Sequence, residues 1–341
     1  MSRPVDAVIE AARGFMGERM TTNAGLRDHH SHGQDTQTPV QPDAVAFVET
    51  TGEAAKLMVL CHAHAVPVVP FVAANGLEIG YEVAGAGPPL VMLHGASSSG
   101  RDDFAHQLPR YGQAFRCYLP DARGHATTRW DAADGFRYEW LVEDLAGFVD
   151  GLGLDTFHLL GFSMGAATAL GFAVRFPERL RTLVLIGISP KREPRTSVAR
   201  RLFDPDRILR QDPAWAAALS RRHDPVQGAG AWQRLLPAIA ADVGANESPG
   251  PTELRRVDAP TLVVVGDRDP FVPVDHAWHL KRQLPDARLF VAPECGHEVM
   301  LCRPALFNEA LTGFYRSTEE VATRRARARP AGDIGPNRTR T

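Results

Sequence analysis

Short apolar segments that end in glycine, proline or aspartate alternate with amphipathic segments along the middle of this chain. Six of the apolar segments have the length of buried strands: PPLVMLHG, FRCYLPDARG, FHLLGFS, LRTLVLIGIS, PTLVVVGDRD and ARLFVAPECG. Segments with apolar residues at helical spacing lie between or after them, among them YEWLVEDLAGFVDGLG, MGAATALGFAVRF and LCRPALFNEALTGFYRS. This alternation indicates an α/β fold, a mostly parallel sheet with helices on both faces. In such sheets, ligands bind outside the carboxyl ends of the strands.

The chain divides into three regions by composition, and the alternating pattern occupies the middle one, residues 71–317. Residues 318–341 are rich in arginine, glycine and proline and have few apolar side chains, which predicts a disordered basic tail. Residues 1–70 form a separate N-terminal region. At the start of the middle region, Asn75-Gly76 lies between short alternating runs and predicts a β-hairpin.

The bulk composition is that of an ordinary globular protein, with 44% hydrophobic and 23% charged residues. The formal net charge of −2 gives no general attraction to nucleic acid or to an anionic membrane. No apolar run reaches the roughly 18 residues of a membrane helix, and Asp6 and Glu10 interrupt any signal-peptide pattern. The four cysteines have neither CxxC spacing nor disulfide-scaffold density. We therefore expect a cytoplasmic protein without nucleic-acid or membrane partners, and the sequence leaves its oligomeric state open.

One apolar strand runs directly into Gly161-Phe162-Ser163-Met164-Gly165 and then into a helix of small residues. A Gly-x-Ser-x-Gly pattern at a strand-to-helix turn holds the serine in strained backbone geometry, and its glycines let neighbouring backbone lie close. The turn exposes the hydroxyl at the positive end of the helix. The pattern alone is weak, but its position between a buried strand and a small-residue helix makes Ser163 the candidate nucleophile.

A nucleophilic serine needs a base to remove its proton, and the base needs a carboxylate to fix its tautomer. His297 follows the last apolar strand in a Gly-His turn. The preceding strand ends in Gly266-Asp267-Arg268-Asp269-Pro270, which offers two carboxylates. The order serine, acid, histidine is the one that a serine turn of this kind uses.

The developing negative charge in such a reaction needs two fixed N–H donors. One should be the backbone N–H of Met164, which follows the nucleophile. The other should come from the loop after PPLVMLHG, where Ala96 follows His94-Gly95. We expect His94 to hold the backbone of this loop rather than to transfer protons.

Residues 71–317 resemble the α/β-hydrolase superfamily of esterases, lactonases, C–C bond hydrolases and cofactor-free haloperoxidases. In chain order, the resemblance rests on His94-Gly95, Asp121-Ala122-Arg123-Gly124-His125, Gly161-Phe162-Ser163-Met164-Gly165, Gly266-Asp267-Arg268-Asp269 and Gly296-His297. It implies an α/β-hydrolase fold and a catalytic triad that needs neither a metal nor an organic cofactor.

The resemblance also selects the acid, because in this family it usually follows the strand-ending glycine by three positions. Asp269 fits that position, and Asp267 is expected to cap the turn. The chain departs from the family after the arginine turn, where Ala126-Thr127-Thr128 replaces the usual second glycine and serine. That departure affects a supporting loop rather than the triad.

Residues 191–257 interrupt the strand pattern with helical segments, and this insertion resembles the cap that covers the active site in the family. Trp215 and Trp232 are candidate substrate-binding residues there, together with Leu235 and Leu236, although the same side chains could pack the insertion onto itself. Ser97 beside Ala96 and Phe162 beside Ser163 are the other substrate-binding candidates. Substrate-binding assignments rest on position alone.

The N-terminal region resembles the start of the flavin-binding domain of FAD-linked oxidases. The matching features are Pro42-Asp43-Ala44-Val45, a helix through Glu53-Ala54-Ala55-Lys56, and Val66-Pro67-Val68-Val69-Pro70-Phe71. The glycine-rich phosphate loop that should follow is missing, so we expect a truncated fragment of strand, helix and strand without bound flavin. Such a fragment cannot bury both faces of its strands alone, so we expect it to be loosely ordered, docked on the middle region or paired with another copy. Its apolar strand residues, Phe47 and Val68 among them, should be buried by such contacts. His29, His30 and His32 lack the convergent geometry of a metal site.

These features predict a serine hydrolase that cleaves a small or medium ester, lactone or related carbonyl compound through an acyl-enzyme. The same triad could instead serve C–C bond hydrolysis or perhydrolysis. A ligand-binding receptor or a degenerate fusion with little turnover is the alternative from a different class, since fold alone does not establish chemistry.

Overall fold

The computed structural model describes residues 3–29, 42–66, 68, 70–245 and 247–328, and it begins with a small N-terminal unit. The elements of this unit are α1 (Pro4–Met16), β1 (Met20–Thr21), α2 (Ala24–His29), β2 (Val45–Ala46) and α3 (Thr51–Ala63). Val8 and Ala12 of α1 pack with Leu57 and Cys61 of α3 in an apolar cluster of its own. The helix expected through Glu53 is therefore present as α3.

The second strand expected in this unit is absent from the residues described there. Residues 66, 68 and 70 are not in a strand, and Phe71 already pairs with Gly80 in the main sheet. The expected burial of its apolar side chains is also incomplete, because Phe47 is 44% exposed and Val68 is 39% exposed. Residues 30–41 lie outside the described residues, and so do the side chains of all three candidate metal-binding histidines.

The main sheet has eight strands. They are β3 (Phe71–Ala74), β4 (Leu77–Ala84), β5 (Pro89–Leu93), β6 (Arg116–Pro120), β7 (Phe157–Phe162), β8 (Leu180–Ile186), β9 (Thr261–Gly266) and β10 (Ala287–Ala292). Their order is β10-β9-β8-β7-β5-β6-β4-β3, with β3–β4 and β4–β6 antiparallel and the other pairs parallel. This confirms the mostly parallel sheet and the hairpin at Asn75-Gly76.

Helices cover both faces of the sheet. After the N-terminal unit they are α4 (Gly100–Asp103), α5 (Leu108–Tyr111), α6 (Tyr138–Gly151), α7 (Met164–Arg175), α8 (Arg195–Leu202), α9 (Pro205–Gln211), α10 (Pro213–Gln227), α11 (Ala231–Ala245), α12 (Pro251–Leu254), α13 (Val274–Gln283), α14 (Val299–Cys302) and α15 (Pro304–Ala328). Successive residues of β7 point to opposite faces, so Leu159 packs with Phe148 of α6 and Leu160 packs with Phe307 of α15. Each face therefore has its own core.

Five helices, α8 to α12, lie between β8 and β9, as expected for residues 191–257, and we call this segment the helical insert. Its apolar side chains form a third cluster that includes Leu219, Leu236 and Met164. The insert therefore packs directly on the residue that follows Ser163.

The last helix extends further than the sequence indicated. α15 continues to Ala328, so residues 318–328 are helical rather than disordered, and residues 329–341 lie outside the described part of the chain. The reason is that alanine, glutamate and arginine, which dominate this stretch, favour helix propagation. Within the described ranges, no helix is both long enough and apolar enough to span a membrane.

Candidate active site

Ser163 occupies the tight turn between β7 and α7. Its backbone has φ 51° and ψ −110°, a region that residues other than glycine rarely adopt, and its N–H donates to Ile186 O at 2.8 Å. A Cβ on Gly161 would lie 2.2 Å from Gly165 O, and one on Gly165 would lie 2.3 Å from Leu93 O. Both flanking positions therefore require glycine, because backbone presses against backbone.

His297 and Asp269 complete a continuous chain of hydrogen bonds with Ser163. His297 Nε2 lies 2.9 Å from Ser163 Oγ, and His297 Nδ1 lies 2.7 Å from Asp269 Oδ2. An ionised carboxylate only accepts, so Nδ1 carries the proton and Nε2 is free to accept from the serine hydroxyl. The structure thus brings together the three residues that the sequence selected from separate loops.

The two carboxylates after β9 have different surroundings. Asp269 has no exposed side-chain surface, and its Oδ1 accepts from the N–H groups of Phe271 (2.8 Å) and Val272 (3.0 Å). Asp267 is exposed, and its Oδ1 accepts from Cys295 N–H at 3.0 Å. Hydrogen bonds from backbone N–H groups at residues 294 and 295 lower the pKa of Asp267. Asp269 therefore holds the histidine, and Asp267 braces the loop that carries it.

The imidazole of His297 is packed on several sides. The ring of Phe271 lies 4.4 Å from it at an interplanar angle of 33°, and the ring of Phe162 lies 5.0 Å away at 52°. Gly187 leaves room for the imidazole, because a Cβ there would lie 2.8 Å from His297 Cε1. These contacts leave the ring little freedom to turn away from Ser163.

The loop after β5, residues 94–99, carries the second expected N–H donor, and we call it the β5 loop. Gly95 N–H donates to Asp103 Oδ2 at 2.7 Å, and Ser97 N–H donates to His125 Nε2 at 3.3 Å. Between them, the N–H of Ala96 has no acceptor among the described residues. Met164 is the first residue of α7, where a backbone N–H has no partner within its helix. Both expected N–H donors are therefore available to bind an oxyanion.

Two buried histidines hold the backbone beside this loop. His94 Nε2 accepts from Ala122 N–H at 2.9 Å, and its Nδ1 lies 2.7 Å from Gly95 O. His125 Nδ1 lies 3.0 Å from Arg123 O. Burial lowers the pKa of both imidazoles, which therefore stay neutral. The expectation that His94 holds the loop is confirmed.

We call the turn after β6, residues 121–128, the β6 turn. It contains Ala126-Thr127-Thr128, where the chain departs from the family pattern. Thr127 Oγ1 donates to Asp121 Oδ2 at 2.5 Å, and Thr128 Oγ1 donates to Asp121 O at 2.7 Å. Ala126 takes a positive φ of 39°, a conformation that a glycine adopts more easily. The threonine hydroxyls thus stabilise the turn without the usual second glycine.

A buried ion pair joins the β6 turn to helix α6. Arg123 Nε and Nη2 each lie 2.7 Å from a carboxylate oxygen of Asp144, and both side chains are 8% exposed. Asp144 lies on the apolar face of α6, where a buried charge requires a partner. That misplaced polar residue is the sequence signal that could have predicted this pair.

The candidate substrate-binding residues differ in how deeply they are buried. Trp215 is half-buried and packs against the apolar cluster of the helical insert. Trp232 is 1% exposed, and its indole N–H donates to Ser220 Oγ at 2.9 Å, so it packs the insert internally. Leu236 is buried in the same cluster, whereas Leu235 faces the β6 turn, because a Cβ on Gly124 would lie 2.8 Å from its Cδ1. We therefore do not retain Trp232 as a substrate contact. Phe162 is buried beside Gly95 and His297 and supports the site from inside.

Phe271 and His223 were not predicted from the sequence. Phe271 lies two residues beyond Asp269, so its proximity to the acid could have indicated its place. No sequence signal marks His223, because it lies in the helical insert almost 100 residues from its partners in the β6 turn. Within the residues that the structure describes, no group of three histidine, cysteine or acidic side chains could hold a metal ion.

Comparisons with known proteins agree on one family. A family model described as "Alpha/beta hydrolase family" matches residues 90–310. A 2-hydroxy-6-oxo-6-phenylhexa-2,4-dienoate hydrolase of Burkholderia cepacia is 30% identical over 261 residues, which cover 68% of this chain and 88% of that protein. The match begins after the first seventy residues, so the resemblance of that region to FAD-linked oxidases gains no support.

Two solved structures extend the comparison. A meta-cleavage product hydrolase from Pseudomonas fluorescens IP01 has a TM-score of 0.60 at 21% identity, covering 73% of this chain and 97% of that one. An N-acyl homoserine lactone degrading enzyme has a TM-score of 0.60 at 27% identity, covering 72% of this chain and all of that one. The first likeness concerns the fold alone.

Proposed function

The chain belongs to the alpha/beta hydrolase family, and we propose that it is a serine hydrolase cleaving an ester, lactone or related carbonyl compound through an acyl-enzyme on Ser163. The observation that carries this proposal is the hydrogen-bonded chain from Ser163 Oγ through His297 to Asp269, with distances of 2.9 and 2.7 Å. A ligand-binding receptor would not need these hydrogen bonds between Ser163, His297 and Asp269. Their intact geometry argues that the protein turns over a substrate.

The reaction follows from this geometry. His297 Nε2 takes the hydroxyl proton as Ser163 Oγ bonds to the substrate carbonyl carbon, and Asp269 stabilises the resulting imidazolium. The N–H groups of Ala96 and Met164 stabilise the oxyanion. When the tetrahedral intermediate collapses, the bond to the leaving group breaks and His297 gives its proton to that group. Water then attacks the acyl-enzyme with His297 as base, which releases the acid and restores the serine hydroxyl.

The surroundings favour an apolar, uncharged substrate. Half-buried apolar side chains of the helical insert and of the loops facing it pack against the same apolar cluster as Ala96, and they are Trp130, Phe203, Trp215 and Phe271. Arg222 and Arg123, which border the β5 loop and the β6 turn, are each paired with a carboxylate. A substrate carboxylate would have to compete for these cations. An apolar acyl group fits this lining better.

C–C bond hydrolysis is the second candidate, because the relatives at 30% identity are dienoate hydrolases. The same serine turn and oxyanion donors could cleave a carbon–carbon bond next to a carbonyl group if His297 protonates the leaving carbon. Such a substrate carries a carboxylate that this site would have to bind.

A substrate screen tests both candidates. Purified protein is assayed with p-nitrophenyl esters of increasing acyl length, with acyl homoserine lactones, and with 2-hydroxy-6-oxo-6-phenylhexa-2,4-dienoate, each beside Ser163→Ala. We expect Ser163-dependent hydrolysis of esters or lactones of medium acyl length. Ser163-dependent turnover of the dienoate alone would establish the second candidate. Fluorophosphonate labelling of Ser163 without turnover of any substrate would favour the receptor.

A further inference from the structure

A third buried histidine, His223, joins His94 and His125, and the proposed reaction uses none of them. All three are at most 2% exposed. The ring centroids of His94 and His125 are 5.0 Å apart, and those of His125 and His223 are 5.4 Å apart. His223 is the one that comes from the helical insert, on α10. The cluster therefore lies where the insert meets the loops of the site.

Helix α10 holds the carbonyl group of Ser97 in the β5 loop. Arg222 Nη1 donates to Ser97 O at 2.7 Å, and His223 Nε2 lies 3.3 Å from the same oxygen. Arg222 Nε also donates to Asp102 Oδ2 at 2.5 Å, beyond the end of that loop. Ser97 itself has a φ of 65°, a conformation that a serine adopts only when its surroundings enforce it.

The opposite nitrogen of His223 binds the β6 turn. Its Nδ1 lies 3.1 Å from the N–H of Ala126, which can only donate, so Nδ1 accepts and Nε2 carries the proton. That tautomer is the one that donates to Ser97 O. Ser97 N–H in turn donates to His125 at 3.3 Å. One neutral histidine thus links the helical insert, the β6 turn and the β5 loop.

We propose that His223 and Arg222 are positioning residues for the oxyanion site, so that docking of α10 fixes the two peptide groups that follow Ala96 and thereby the position of the Ala96 N–H. The proposal rests on the proposed function, in which Ala96 N–H stabilises the oxyanion. Ala96 is next to Ser97, whose N–H and carbonyl are both fixed by this network. A donor displaced by about 1 Å can reduce the rate about a hundredfold, because stabilisation in the transition state depends on position.

The decisive variants are His223→Ala and His223→Gln, assayed on the best ester substrate. We expect His223→Ala to lower kcat about tenfold to a hundredfold with KM nearly unchanged. Its affinity for a trifluoromethyl ketone, whose serine adduct places an oxyanion in the same site, should fall by a similar factor. Glutamine has both a donor and an acceptor, so His223→Gln should recover most of the kcat.

Two controls separate positioning from general destabilisation. His158→Ala removes a buried histidine of β7 that bonds Thr182, and Arg221→Ala removes the exposed neighbour of Arg222; both should keep the wild-type kcat. A folded His223→Ala that keeps its kcat, or loses it without losing trifluoromethyl ketone affinity, overturns the proposal. If His223→Ala does not fold, Arg222→Ala decides: a lower kcat supports the proposal and an unchanged kcat overturns it. Activity surviving in Ser163→Ala would instead refute the proposed function.

Discussion

The aromatic ring of Phe271 stacks on the imidazole of His297, with 4.4 Å between the ring centroids and 33° between the planes. The backbone N–H of the same phenylalanine donates to Asp269 Oδ1 at 2.8 Å. One residue thus contacts both the proposed base and the proposed acid. Its backbone orients the carboxylate, and its ring faces the imidazolium that forms during proton transfer. The two roles can be separated, because only the second depends on the side chain.

Phe271→Leu should lower kcat about threefold to thirtyfold, because it removes an aromatic face from a transient cation and keeps the backbone hydrogen bond. Steady-state kinetics on the best substrate measures this effect. Phe176→Leu, another half-buried phenylalanine that lies at the opposite end of α7 from Ser163, is the matched control and should leave kcat unchanged. Equal kinetics for Phe271→Leu and wild type would show that the stacking has no catalytic effect.

Asp269→Asn should lower kcat by about 10⁴ and leave KM nearly unchanged, because an asparagine favours the wrong tautomer of the histidine. Asp267→Asn should have a small effect, since Asp267 accepts hydrogen bonds from backbone N–H groups at residues 294 and 295 and is not the carboxylate bonded to His297. The pair of variants is compared in kcat and in melting temperature. If Asp267→Asn were the more damaging change in kcat, the assignment of the acid would be wrong.

Acid should weaken the stabilisation that His223 provides. Burial, followed by the charge of Arg222, lowers the pKa of His223 from its usual 6.5 to about 3, against smaller opposite effects of the hydrogen bond with Ser97 O and of Asp102. Between pH 6.5 and about 3 the unfolded chain therefore binds a proton that the folded chain does not, so stability falls as pH falls. The effect is on the order of 1 kcal/mol per pH unit.

The comparison with His223→Gln isolates this contribution, because glutamine does not titrate. Denaturant unfolding at pH 7 and at pH 5 should show that the stability advantage of wild type over the variant shrinks at the lower pH. An advantage that stayed constant or grew between those pH values would show that the histidine is not held neutral.

Removing residues 1–70 should leave a folded enzyme with near-normal kcat. The proposed triad, the two proposed oxyanion donors and all strands of the main sheet lie after residue 70, and the N-terminal unit has its own apolar cluster. A modest fall in melting temperature is compatible with this expectation. Full-length protein should also show no flavin absorbance, and added FAD should not raise its melting temperature. Stoichiometric flavin, or a folded but inactive truncated protein, would contradict it.

The residue pattern indicated Ser163 and His297, and the resemblance to α/β-hydrolases was needed to select Asp269 over Asp267. Ser163 lies in a local pattern with a steric cause, since both neighbouring glycines face backbone at less than 2.5 Å from a Cβ position. His297 and Asp269 follow strand ends, and the parallel topology brings strand ends together at one edge of the sheet. Short-range geometry and topology are both encoded in the order of apolar and polar residues.

Other features depended on contacts that no local pattern records. Trp232 has the composition of a pocket residue, yet a hydrogen bond to Ser220 one helix away fixes it inside the insert. His223 contacts the β5 loop from more than 100 residues along the chain. In the N-terminal region, a strand was expected up to Phe71, but Phe71 instead pairs with Gly80 in the main sheet. The edge of that sheet offers more backbone hydrogen bonds than an isolated fragment does.

The most direct test of the central claim, an acyl-enzyme on Ser163, is mass spectrometry of protein quenched during turnover of the best ester. We predict that the peptide containing Ser163 gains the mass of the acyl group in wild type. Ser163→Ala should show no adduct and should lose about 10⁴ to 10⁶ in kcat while keeping its melting temperature. A folded Ser163→Ala that kept roughly a tenth or more of wild-type kcat, or an acyl group on another residue, would contradict the account.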